Sequence, residues 1–141
     1  MKTLFLVLSL FLFKGGISQI NVNDLGKKRF DEVIKSESNS PCEVTENKII
    51  TYCVEDGSKL SFLFKNQVLN GIITMTAFSS RNAAERELEN EILNSKSSLG
   101  IEPYISNGKT MFNSLESPIF VTLSVEYVNK TYFLVHYIAK K

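Results

Sequence analysis

Residues 119–140 read IFVTLSVEYVNKTYFLVHYIAK. Side chains alternate on both sides of Asn129-Lys130, and a period of two marks strands rather than a helix. Ile119, Val121, Leu123, Val125 and Tyr127 alternate with Phe120, Thr122, Ser124, Glu126 and Val128. Asn129-Lys130 turns the chain and residues 131–139 return, giving a long hairpin. With a loop of two or four residues, Tyr132, Leu134, His136 and Ile138 share a face with Tyr127, Val125, Leu123 and Val121, and His136 stands opposite Leu123. A three-residue loop places the imidazole with Thr122, Ser124 and Glu126, because a slip of one residue moves every side chain to the other face. Such a hairpin commits the fold to an antiparallel sheet with a covering layer.

Both faces of the hairpin are apolar. Phe120, Val128, Phe133, Val135 and Tyr137 oppose the expected core face. If helices cover one side only, this second face is open. Open aromatic and aliphatic patches mark partner surfaces, grooves or self-association sites. If loops or the first helix cover it, these residues are ordinary core.

Upstream of the hairpin, residues 104–106 and 109–112 read as short strands around the turn Ser106-Asn107-Gly108. A helix precedes them. Ser79 or Ser80 caps its start, Ala84, Leu88 and Ile92 form a narrow apolar stripe, and Gly100 suits a left-handed stop. Arg81 and Glu85 form an i,i+4 pair. Glu85, Glu87, Glu89 and Glu91 spread around the outer, solvated side. Residues 48–54, 59–65 and 68–78 are β-rich, with Gly71 as the position of a bulge. Residues 21–38 suit a first helix, with Val22, Leu25, Phe30, Val33 and Ile34 on one half of its wheel. Gly26 weakens that helix, and Asn39-Ser40-Pro41 ends it.

These elements predict an α+β fold: an antiparallel sheet of about six strands with two helices packed on one face. Helix, short strand, turn and long hairpin recur in each half at an offset of roughly 60 residues, one helical and strand pattern for each half. That order matches a duplicated α-β-β-β unit, although residue identity between the halves is poor.

The chain of 141 residues opens MKTLFLVLSLFLFKGGISQ. Lys2 is followed by an apolar run over 4–13 and then small residues. A spanning helix needs roughly 20 apolar residues, and this run is about half of that. The pattern predicts a signal peptide over residues 1–18, cleaved after Ser18, and a single domain over 19–141 in a secreted or periplasmic setting. No second stretch is long and apolar enough to span a bilayer. The formal net charge is +1, and loss of Lys2 and Lys14 with the leader lowers it by two. A near-neutral chain gives no electrostatic ground for nucleic acid or an anionic membrane as partner. The short cluster Lys27-Lys28-Arg29 reads as a solvated face.

Cys42 and Cys53 are the two cysteines. In an exported chain they read as a disulfide. With Asn47-Lys48 as a two-residue turn, Cys42 faces Cys53 and Val44 faces Thr51 across a hairpin. A redox or metal thiol pair fits less well, since there is no C-x-x-C spacing and the single histidine is distant in sequence. The stretch TYCVEDGSKLSFLF resembles a local segment of the secreted C-type lysozyme inhibitors, which carry a cysteine before a glycine turn and a following strand. The resemblance is confined to residues 51–64, and the long second helix departs from that family's small all-β barrel.

Motifs that carry chemistry are absent from the sequence. There is no G-x-S-x-G, no H-E-x-x-H, no phosphate-cradling glycine loop and no calcium-loop spacing. No metal or cofactor is expected. His136 is the only histidine; it reads as a strand histidine, with Glu126 its conditional partner if it were a catalytic base. Asn129-Lys130-Thr131 is an N-x-T sequon at a hairpin tip. The expected function is a non-enzymatic binding module that takes a protein partner or a small apolar ligand. An inhibitor or immunity-type protein against an extracytoplasmic enzyme is the alternative, and an enzyme or small-ligand carrier the third reading.

Overall fold

The structure is a computed structural model that describes residues 22–36, 40–46 and 48–141. The expected leader over 1–18, its cleavage site with Gln19, and Asn47 of the expected turn lie outside the described residues. The chain forms one sheet of eight antiparallel strands among those residues. They are β1 (Glu43–Thr45), β2 (Ile49–Cys53), β3 (Lys59–Lys65), β4 (Val68–Phe78), β5 (Tyr104–Ser106), β6 (Lys109–Phe112), β7 (Ile119–Val128) and β8 (Thr131–Lys140). Helix α1 (Phe30–Ser36) precedes β1, and α2 (Arg81–Leu99) joins β4 to β5. The spatial order is β1-β2-β3-β4-β8-β7-β6-β5, two four-strand meanders joined where β8 lies against β4.

The fold is therefore mainly β, which corrects the expected α+β class of about six strands under two helices. The three-strand repeat falls with it, since each meander holds four strands. Only α2 is a long helix. Over residues 22–29 the predicted helix is replaced by a 3-10 turn, Val22–Asp24, a further turn over 25–27 and a bridge from Arg29 to Val68. Gly26 adopts φ 78°, a left-handed conformation that interrupts a helix and suits glycine. The backbone then bonds to the start of β4: Gly26 N–H donates to the Leu69 carbonyl at 2.7 Å, Leu69 N–H to that of Lys28 at 2.7 Å, and Phe30 N–H to that of Gln67 at 3.0 Å. These inter-segment bonds satisfy the backbone that the helix would have used, and they remove Lys27, Lys28 and Arg29 from any helical face.

Tight turns fix the registers. Asn66-Gln67, Asn107-Gly108 and Asn129-Lys130 each place two consecutive residues at positive φ, the backbone twist that two-residue hairpins require. Val128 pairs with Thr131 across the last turn, so His136 stands opposite Leu123. A bulge falls beside Gly71: Leu63 pairs with Gly71 but Phe64 with Leu69, leaving Asn70 as the extra residue.

One row of side chains crosses six strands: Ile50, Phe62, Ile72, Ile138, Val121 and Phe112. None is more than 3% exposed. This row is the centre of the core, and both helices pack on its side. Phe30 meets Phe64 edge-on at 5.1 Å, and Val33 of α1 is fully buried. Helix α2 contributes Ala84, buried, and the partly buried Leu88, Ile92 and Leu99. Ser80 Oγ accepts from Ala83 N–H at 3.2 Å, and Gly100, at φ 65°, donates its N–H to the Lys96 carbonyl. Both ends of α2 lie where the sequence places them.

Cys42 and Cys53 form a disulfide. The register of its hairpin differs from expectation by one residue: Val44 pairs with Ile50 and Glu43 with Thr51. Cys42 stands just outside β1, its N–H bonded to the Thr51 carbonyl at 2.8 Å. The bridge is compatible with an oxidising compartment. No described helix is long and apolar enough to cross a membrane.

Candidate functional site

The sheet has two unlike faces. Both described helices and the core occupy the first. The second carries the five residues singled out above, because alternation along β7 and β8 turns them away from the core row. Their exposure varies. Val128 is 44% exposed and Phe133 only 8%, while Phe120, Val135 and Tyr137 are half-buried. Phe120 and Tyr137 meet edge-on at 5.5 Å, and Tyr137 lies over Gly71, where an added Cβ would come within 3.0 Å of its ring. The patch is thus partly filled by its own aromatic contacts.

Beta-strand 4 extends this face beyond the hairpin. Ile73 pairs with Tyr137, Met75 with Val135 and Ala77 with Phe133. These three are not among the residues expected on this face; their alternation with Ile72 and Thr74 is the sequence signal that places them there. Farther along the same face a groove of about 260 Å³ runs over β1 to β4. Ile49, Leu63 and Ile73 give it apolar lining, Glu43 and Lys59 one charge of each sign. The Thr51 and Ser61 hydroxyls there bond to each other at 2.9 Å.

His136 belongs to the first face. It is 2% exposed, and neither ring nitrogen has a partner among the described residues. Burial lowers its pKa to about 4, because a buried charge loses its hydration. Glu126 lies on the opposite face, where it accepts from Ser124 Oγ at 3.1 Å. The sheet therefore separates the two residues that a His–Glu pair would need to bring together. Helix α2 adds two further buried polar residues. Ser95 is 1% exposed with its hydroxyl unbonded among the described residues. Glu91 is buried rather than on the outer, solvated side; desolvation raises its carboxyl pKa, and Glu87 adds to the shift. Among the described residues no group of three His, Cys, Asp or Glu side chains is placed to hold a metal ion.

A larger cleft, about 570 Å³, opens between the end of α2 and residues 114–117, lined on the helix side by Leu99, Gly100 and Ile101. Leu115 beside it is fully exposed. No family model matches the chain, and neither a curated protein nor a solved structure matches it.

Proposed function

We propose that the chain is an exported, non-enzymatic binding module, freed of residues 1–18 and held by the Cys42–Cys53 bridge, that uses the second sheet face to take a protein partner or a small apolar ligand. The observation that carries this reading is the one-sided helix layer. With both described helices on the core side, Phe120, Val128, Val135 and Tyr137, with Ile73 and Met75 from β4, keep part of their apolar surface available. Association through such a surface gains on the order of 25 cal/mol per Å² of apolar area buried, before ordering costs. The separation of His136 from Glu126 speaks against a catalytic pair of those two residues.

The test is a photo-crosslinking side chain at Val128, in protein recovered from its native compartment, compared with the same label at exposed Glu89 on the outer side of α2. A defined adduct at position 128, lost on Tyr137→Lys, supports the reading. Equal labelling at both positions refutes it. Mass spectrometry of the same material reads the N-terminus, which begins at Gln19 on this proposal.

The fully exposed Leu115 favours a second reading, an inhibitor that inserts this loop into an extracytoplasmic enzyme. Leu115→Asp then abolishes inhibition while the adduct at position 128 never forms.

A further inference from the structure

The first face ends in a second concavity. Arg81 and Glu85 from α2, Val125 and Tyr127 from β7, and Tyr132 from β8 line a cleft of about 290 Å³ beside the hairpin tip. Tyr127 and Tyr132 are directly opposed across the hairpin, with ring centroids 4.6 Å apart at 33°. Tyr127 is nonetheless 60% exposed. Arg81 Nε donates to Glu85 Oε1 at 2.7 Å, and that bond raises the guanidinium pKa above its already high value. The two terminal nitrogens of Arg81 have no partner among the described residues.

A cross-strand tyrosine pair by itself braces a hairpin. The cleft adds unused hydrogen-bonding capacity of both kinds around an aromatic surface. Two phenol hydroxyls donate and accept, the terminal guanidinium nitrogens donate, and the second Glu85 oxygen accepts. An apolar ligand would desolvate Arg81 and Glu85 without replacing their hydrogen bonds. A lone anion would meet the Glu85 carboxylate. Nucleobases also stack on tyrosine, but the cleft lining holds one basic side chain, Arg81, and an acidic one, Glu85, not the basic groove that follows a phosphate backbone. A ring with an aliphatic face and a rim of hydroxyls matches each group.

We propose that this cleft binds a single saccharide ring, stacked on the Tyr127–Tyr132 pair and hydrogen-bonded at its rim by Arg81 and Glu85. The site lies on the opposite side of the sheet from the proposed binding face and does not depend on it. Its volume sits at the lower end of the range for small-molecule pockets, which suits one ring and a weak, millimolar complex.

The experiment is two-dimensional amide NMR of the 15N-labelled protein, titrated separately with glucose, galactose, N-acetylglucosamine and, for comparison, adenosine. At least one sugar shifts the resonances of Arg81, Glu85, Val125, Tyr127 and Tyr132 in a saturable way. Tyr127→Ala weakens that binding about tenfold, an energy of about 1.4 kcal/mol, while Tyr127→Phe keeps the stacking and loses less. Arg81→Ala, at an exposed helix position where the fold is safe, weakens it as well. Glu89→Gln, at an exposed position on the outer side of α2, leaves the affinity unchanged. Shifts caused by no sugar, shifts centred elsewhere, or binding of adenosine alone would each overturn the proposal.

Discussion

Acidification puts a charge on His136, whose ring nitrogens have no hydrogen-bond partner among the described residues. The ring is 2% exposed and flanked in register by Thr74 and Leu123. Its pKa falls from 6.5 to about 4 through burial. In the unfolded chain the imidazole takes a proton near pH 6.5; in the folded chain it resists until about pH 4. Between those limits the unfolded state binds more protons, so stability falls as pH falls. The gap corresponds to about 3 kcal/mol at roughly 1.4 kcal/mol per pH unit, a large share of the 5–15 kcal/mol that typically holds a domain folded. Glu91 acts in the opposite sense. Its raised pKa makes the protonated carboxyl the one that suits burial, so its contribution is lost as pH rises through that pKa. The assay is urea denaturation followed by circular dichroism at intervals from pH 7 to pH 4, for the parent chain and for His136→Leu. The substitution removes the ionisation and the two unbonded nitrogens. The variant should match or exceed the parent at pH 7 by about 1 kcal/mol and keep about 3 kcal/mol more at pH 4. Parallel curves for the two proteins would refute the reasoning, because carboxylate titration common to both would then account for the whole acid response.

Two further outcomes follow from the fold. Replacing both Cys42 and Cys53 with Ser opens a loop with a sequence separation of 11, and the chain-entropy relation then predicts a loss of about 3 kcal/mol, read as a lower urea midpoint. Ser80→Ala removes the side chain that accepts from Ala83 N–H and should cost about 1 kcal/mol, seen as a lowered thermal midpoint with the strand signal retained until global unfolding.

The sequence reading succeeded where a single signal ran long enough to dominate. The alternation over 119–139 is unbroken by Gly or Pro, and Asn129-Lys130 admits the two left-handed residues of a tight turn, so the hairpin and the position of His136 follow directly. Ser80 and Gly100 bracket α2 for equally local reasons. The total strand count did not follow. The short strands over 104–106 and 109–112 are legible as β5 and β6 because Asn107-Gly108 marks the turn between them, whereas β1, three residues long, shows at most two alternations and gains its identity from β2. Over 22–29 the apolar spacing is genuinely helical, but the choice was made by Gly26 and by the unused N–H and C=O groups at the start of β4, which are distant in sequence. The one-residue register error at the disulfide has a similar source: Cys42 bonds from just outside β1, so the bridge does not mark opposed positions. Glu91 and Ser95 lie on the buried side of α2 because the helix presents more than its three-residue apolar stripe to the sheet. The condition of the second face depended on lateral contacts, and Phe133 is enclosed among its neighbours while Val128 is not.

The position of β8 constrains how the molecule is made. That strand alone carries the hydrogen-bonded sheet from one meander to the other, pairing with β4 on one side and β7 on the other, while α2 joins them in the chain. While a nascent chain has emerged only through β7, it holds two half-sheets with raw edges and no shared core row. Residues 131–140 complete it, joining positions as far apart in sequence as Gly71 and Ala139, a closure of the long-range kind that makes folding slow. A chain cut short just ahead of Thr131 lacks β8, so β4 and β7 each keep an unpaired edge, and an unpaired edge is a template for aggregation.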